Sequence, residues 1–212
     1  MMGIERKKLS MSDKDRLNTA IHEAGHAIAC YFTPGAKNLY KATIVARGGS
    51  LGATYMVPDE GDSLSTSKEK VLAQIDVALG GHIAEKLFLG DKKITSGCGS
   101  DLQGASQYAY AAVRRYGMFG EEAGLISKDE RETSEAYNAK VDAEVKRILD
   151  ESYERVYTLL KNKEVELRNL AKNLFWYDYL DAEEMDQIIK GKKLGKTKVR
   201  EWDQKEKYVI NF

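Results

Sequence analysis

The 212 residues include only two cysteines, two prolines and three histidines. Cys30 and Cys98 cannot build a disulfide framework, and reduced thiols suit a cytosolic, matrix-like or otherwise shielded compartment. There is no excess of either charge, since Lys+Arg and Asp+Glu both number 33. Bulk electrostatics therefore offer nothing to nucleic acid, and the basic stretch Lys192 to Arg200 lacks the interleaved aromatics that bases stack on. No run of about eighteen apolar residues exists, so no segment of this chain is read as membrane-spanning. The basic N-terminus, Met1 to Asp15, lacks the apolar stretch of a secretory signal. Internal repeats are absent. So is any Asp or Glu between Glu23 and Asp59.

Against this background, two of the three histidines fall in one short motif, His22-Glu23-Ala24-Gly25-His26. The surrounding Ala20, Ile21, Ala27, Ile28 and Ala29 are small or apolar and predict a buried helix. Residues four apart lie above one another on a helix face, so both imidazoles can reach one ion. Glu23 then lies beside them as a general base, the arrangement of H-E-x-x-H zinc peptidases. The competing reading, two core histidines satisfied by hydrogen bonds, leaves a carboxylate beside them without a partner cation, which is costly.

The length suits one domain, with 42% hydrophobic residues for its core. The pattern predicts a mainly α fold with a small β-hairpin beside the motif helix. Ser12 caps that helix, which runs to Phe32 before Pro34-Gly35. Two apolar runs, Ala42 to Ala46 and Leu51 to Val57, flank Arg47-Gly48-Gly49-Ser50 as a hairpin. Lys68 to Leu89 is a long helix in which Gly80-Gly81 suggests close approach of another backbone. Ser100 is expected to cap a helix from Asp101 to Tyr116, and Gly117 to Asp129 to be irregular. Helices follow over Thr133 to Leu160 and Glu164 to Tyr177, then a short one with a capping box at Asp181 and Glu184, ending at Gly191. Residues 1–11 are expected to be a lead-in, 12–191 the domain, and 192–212 a charged flexible tail. Gly195-Lys196-Thr197 resembles the end of a phosphate-binding loop, but Gly191 stands one residue too close and no apolar strand precedes it.

A catalytic zinc takes three protein ligands and keeps one position open. The extended motif with a third histidine is absent, because Ala29 and Phe32 occupy the positions it would need. A carboxylate ligand soon after His26 is excluded by the gap up to Asp59. His82, Glu85, Cys98 and Asp101 remain. His82 and Glu85 share a helix face, and Asp101 opens a helix after a glycine-bearing loop. Spacing alone leaves Glu85 and Asp101 level.

Six stretches, in order, resemble the peptidase domain of the FtsH family of AAA metalloproteases. They are Gly3 to Lys7, Thr19 to His26, Leu39 to Ile44, Gly80-Gly81-His82-Ile83-Ala84-Glu85-Lys86, Thr95 to Leu102, and Tyr116-Gly117-Met118. The wording Ser96-Gly97-Cys98-Gly99-Ser100-Asp101-Leu102-Gln103 is similar to the mitochondrial i-AAA branch. The resemblance implies that His22, His26 and Asp101 hold one Zn2+ per chain, that Glu23 is the general base, and that Glu85 orients a ligand histidine. At His82 the family usually carries Arg or Lys, so this residue is read as a surface variation and not a ligand. Cys98 is expected to pack in its loop and Cys30 in the core.

By the same resemblance, the activity is endopeptidase cleavage within an ATP-dependent, membrane-anchored quality-control protease acting on unfolded or membrane proteins. A homo-hexamer is implied, with ATP and Mg2+ on an ATPase module outside this chain. The mitochondrial inner membrane is the implied location, with another endosymbiotic organelle or a bacterial inner membrane as alternatives. Ser50 to Tyr55, centred on Leu51, Gly52, Ala53 and Thr54, is the candidate strand on which an extended substrate pairs through its main chain. From the residues alone it could equally be an ordinary core hairpin. The contrary functional reading is an inactive metallopeptidase-fold adaptor, against which the intact His22, Glu23, His26 and Asp101 set argues.

Overall fold

The computed structural model describes residues 11–46, 50–58, 65–120 and 133–199. Helix α1 spans Asp13–Phe32, and Ser12 caps it by accepting a hydrogen bond from the Asp15 amide at 3.2 Å. Asp13 and Asp15 in its first turn complement the helix dipole. The helix is buried on most of its surface: Ala20, Ile21, Ala24, Ala27, Ile28 and Ala29 are all fully enclosed. Each large aliphatic side chain buried in this way contributes about 1.5–3 kcal/mol relative to exposure.

Helix α2, Lys68–Leu89, packs along α1, and α5, Glu164–Tyr177, flanks α1 as well. A Cβ on Gly80 would stand 2.6 Å from the Gly25 carbonyl oxygen, so the two helices touch backbone to backbone. That is the close approach foreseen at Gly80-Gly81. Helices α3 (Gly99–Arg114) and α4 (Glu135–Asn162) cover the other side of α2. Asp76 of α2, 6% exposed, takes a two-pronged grip from Arg155 of α4 at 2.8 and 3.2 Å. Helix α6, Ala182–Ile189, carries the expected Asp181–Glu184 capping box.

Strands β1 (Asn38–Thr43), β2 (Ala53–Val57) and β3 (Tyr179–Asp181) form an antiparallel sheet in the order β2-β1-β3. The hairpin is present, with its first strand earlier than the apolar run suggested. Ile44 and Val45 lie beyond β1, and the Ile44 amide donates to the Asp178 carbonyl at 2.9 Å. The third strand has no periodic signal, because it is three residues long and pairs with a strand far away in the sequence. Residues Arg47 to Gly49 of the foreseen turn lie outside the described residues, as do residues 1–10 of the lead-in.

Helix α3 starts earlier than expected. A 3-10 turn, Ser96–Cys98, leads straight into Gly99, so Ser100 is inside the helix and not its cap. After α6, Lys198 lies over the Trp176 ring at 3.5 Å and the Val199 amide donates to the Trp176 carbonyl at 2.9 Å.

Candidate metal centre

His22 and His26 project from α1 one turn apart, their rings nearly perpendicular with centroids 4.7 Å apart. Their Nε2 atoms approach to 3.0 Å. Asp101, in the first turn of α3, brings Oδ2 to 3.1 Å from His22 Nε2 and 3.4 Å from His26 Nε2. Three ligand atoms around a tetrahedral zinc stand about 3.3 Å apart, given metal–ligand bonds of roughly 2.0–2.2 Å.

The opposite ring nitrogens fix the tautomers. His26 Nδ1 lies 2.7 Å from the Val77 carbonyl oxygen, which can only accept, so the proton is on Nδ1. His22 Nδ1 lies 2.8 Å from Glu85 Oε1, a carboxylate 2% exposed. With both Nδ1 protons directed outward, the two Nε2 lone pairs and a carboxylate oxygen converge, and a cation is the partner this donor set fits. Without one, a proton is held instead. Burial alone would lower the His22 pKa, but hydrogen bonds with Asp101, Cys98 and Glu85 raise it to about 12. Burial would raise the Asp101 carboxyl, yet its hydrogen bonds with His22 and His26 hold it well below the usual range.

Gly81 makes room for the two rings. A Cβ there would stand 2.5 Å from His22 Cε1 and 2.6 Å from His26 Nε2. It lies one turn beyond Val77 on the same face of α2.

Glu85 Oε2 accepts from the Thr95 amide at 2.7 Å, and Oε1 accepts from Thr95 Oγ1 at 3.1 Å and the Cys98 thiol at 3.3 Å. One carboxylate thus holds His22 and the loop that delivers Asp101. Burial favours its neutral form, but the His22 and Thr95 hydrogen bonds outweigh this and lower its pKa. Glu23 is 5% exposed, and burial is the main reason its pKa is raised, against the opposing influence of His26, His22 and Thr54. A carboxylate shifted upward takes up a proton more readily than a free one.

Residues 9–188 match the model of peptidase family M41. The chain belongs to that family. It is 46% identical over 202 residues to the mitochondrial inner membrane i-AAA protease supercomplex subunit YME1 of Saccharomyces cerevisiae, covering 93% of this chain and 26% of that protein. It is 38% identical over 195 residues to the ATP-dependent zinc metalloprotease YME1L1 of Homo sapiens, covering 92% and 25%. Against the ATP-dependent zinc metalloprotease FtsH of Veillonella parvula it is 40% identical over 216 residues, covering 96% and 33%. The chain therefore spans about a quarter to a third of the length of these relatives.

In this M41 domain a cleft of about 390 Å3 is lined by His22, Glu23, His26 and Asp101 together with Gly52, Ala53, Thr54, Met56, Val77 and Tyr108. Of the candidate substrate strand, Ala53 and Thr54 belong to β2, Gly52 immediately precedes it, and Leu51 is 45% exposed on a bend. Among the described residues β2 is an edge of the sheet. His82 is not brought to the centre. It is half-buried with its ring 6.5 Å from that of Tyr153, and burial lowers its pKa, which corrects its reading as a surface variation. Cys98 is buried against Glu85, and Cys30 is buried with its thiol donating to the Lys37 carbonyl at 3.0 Å. Sequence reasoning placed Thr54 on the candidate substrate strand but missed its side-chain contact with Glu23, and it missed Val77 and Thr95 altogether as partners of His26 and Glu85. A backbone carbonyl leaves no trace in a sequence, and what the two threonine side chains touch shows only once the fold is known.

Proposed function

We propose that this M41 domain is the zinc endopeptidase module of an ATP-dependent, membrane-anchored quality-control protease. The observation that carries the reading is the convergence of His22 Nε2, His26 Nε2 and Asp101 Oδ2, with both histidine Nδ1 atoms already committed to other partners. In this reading His22, His26 and Asp101 hold one zinc ion, and Glu85 orients His22. Zinc bound there supplies Lewis acidity, acidifying water and polarising a peptide carbonyl. Glu23 takes the proton from the attacking water and returns it to the leaving amine. The substrate lies extended along Leu51 to Thr54 and pairs by main-chain hydrogen bonds, which read backbone more than side chain and suit many unfolded sequences.

The names of the relatives, ATP-dependent zinc metalloprotease and mitochondrial inner membrane i-AAA protease, support ATP dependence and the mitochondrial inner membrane as location; an ATPase module using ATP and Mg2+ belongs to the same proposal. A homo-hexamer acting on unfolded or membrane proteins completes the proposal, with residues 1–11 as the lead-in from the ATPase module and 192–212 as the tail. The deciding experiment compares wild type with Glu23→Gln in the full-length gene product, following zinc content and cleavage of a denatured protein. Zinc should be retained and turnover lost. Retained cleavage would remove Glu23 from its role, and bound zinc without cleavage by the wild-type assembly would favour the inactive adaptor.

A further inference from the structure

Strand β2 presents an unusual inner face. Ala42 of β1, which pairs opposite Thr54, is fully buried, whereas the Thr54 position is partly buried between the sheet and the cleft, where an aliphatic side chain would also fit. Thr54 instead places a hydroxyl there, which is costly unless it is paired. It is paired with Glu23. Thr54 Oγ1 stands 2.7 Å from Glu23 Oε2 and 3.1 Å from the Glu23 carbonyl oxygen. The hydroxyl has one proton, and the shorter, charge-assisted contact takes it. Among the described residues it is the one hydrogen-bond donor to this buried carboxylate.

Two positions earlier, on the same face by strand periodicity, stands Gly52. A Cβ at that position would lie 2.8 Å from Glu23 Oε1 and 2.6 Å from Thr19 Cγ2. The inner face therefore reads glycine then threonine because Glu23 lies against it: one position leaves space for one carboxylate oxygen, and the other donates a proton to the second.

We propose that Thr54 is a positioning residue for the general base, holding Glu23 by Oε2 so that the carboxylate keeps one orientation toward the cleft. The inference rests on the proposed role of Glu23. The main chain of β2 is the proposed substrate edge, so one short stretch serves the substrate through its backbone and the base through a side chain. Positioning a base affects proton transfer in the transition state and not the pairing of substrate, so loss of the hydroxyl should lower kcat and leave KM alone.

The test uses Thr54→Val, which keeps the shape, Thr54→Ser, which keeps the hydroxyl, and Glu23→Gln. All are made in the full-length gene product and assayed for zinc content and for kcat and KM on labelled casein. Thr54→Val should retain zinc and lower kcat about tenfold or more with KM within about twofold, and Thr54→Ser should recover most of kcat. The inference is overturned if Thr54→Val turns over like wild type, if Thr54→Ser is as impaired as Thr54→Val, or if either loses zinc or changes KM alone. Should Glu23→Gln remain active, the general-base reading fails and this inference with it. An inactive Glu23→Gln beside an unimpaired Thr54→Val overturns the Thr54 assignment alone.

Discussion

A Cβ on Gly25 would collide with the carbonyl oxygen of Gly80, and this contact sets the spacing of α1 and α2 beside the metal centre. Gly25 lies inside the H-E-x-x-H motif itself, between the two histidine turns. The next residue on α2, Gly81, faces the rings and not the backbone.

The two positions should therefore respond differently to alanine. Gly25→Ala must push the helices apart and should destabilise the fold by about 1–3 kcal/mol or more, as overpacking does. Gly81→Ala meets side-chain rings, which can turn, and should chiefly weaken zinc binding, by about tenfold or more. Thermal unfolding and zinc titration of both variants separate the effects. Wild-type zinc affinity in Gly81→Ala would remove the steric role assigned to that glycine.

Glu85 holds His22 through Oε1 and anchors the Thr95–Cys98 loop through both oxygens. Glu85→Gln keeps the shape but loses the charge and should lower zinc affinity about 10–100-fold. Asp101→Asn, which weakens a direct ligand, should cost more. Competition against a chromophoric chelator gives the order, and an affinity in Glu85→Gln equal to wild type would contradict the orienting role.

Removing zinc should lower the unfolding temperature, because the folded state presents the assembled donor set and the unfolded chain does not. At free zinc one hundred times its dissociation constant, the stabilisation is about 2.7 kcal/mol. Unfolding scans before and after chelation, and again after zinc is restored, measure it. A midpoint indifferent to zinc would argue against a metal at this site.

Cys30 supplies a pH dependence away from the metal ligands. Burial pushes its thiol from 9.0 up to about 12. Between those values the folded chain keeps a proton that the unfolded chain releases, so stability falls as pH rises, by up to about 1.4 kcal/mol per pH unit. Other groups titrate in the same range, so the quantity to measure is the difference in unfolding free energy between wild type and Cys30→Ala from pH 8 to 11. That difference should slope downward for wild type above about pH 9. A flat difference would mean the thiol is not held protonated.

Much of the architecture was legible locally. Ser12, the 3.6-residue pattern of α2 and the Asp181–Glu184 box each involve residues within a turn or two, where spacing and geometry are directly related. The start of α3 was misplaced because Ser100 is a good capping residue, whereas the chain was already turning helically from Ser96. Strand β3 was missed because its pairing with β1 spans most of the chain. His82 reads as a surface residue from the sequence because nothing near it there shows that α4 brings Tyr153 against it.

The sequence by itself determined that two imidazoles share a helix face with an acid beside them, and that no carboxylate follows for more than thirty residues. Left to spacing, Glu85 and Asp101 stand level as the third ligand. Tertiary structure separated them: Glu85 reaches Nδ1 of His22, while Asp101 reaches Nε2 of both histidines. The same holds for Thr54, whose hydroxyl meets Glu23 only because β2 lies across α1. Helical periodicity relates residues a turn apart, whereas the approach of α2, α3 and β2 to α1 depends on how buried surfaces pack, including the glycines that let backbones touch.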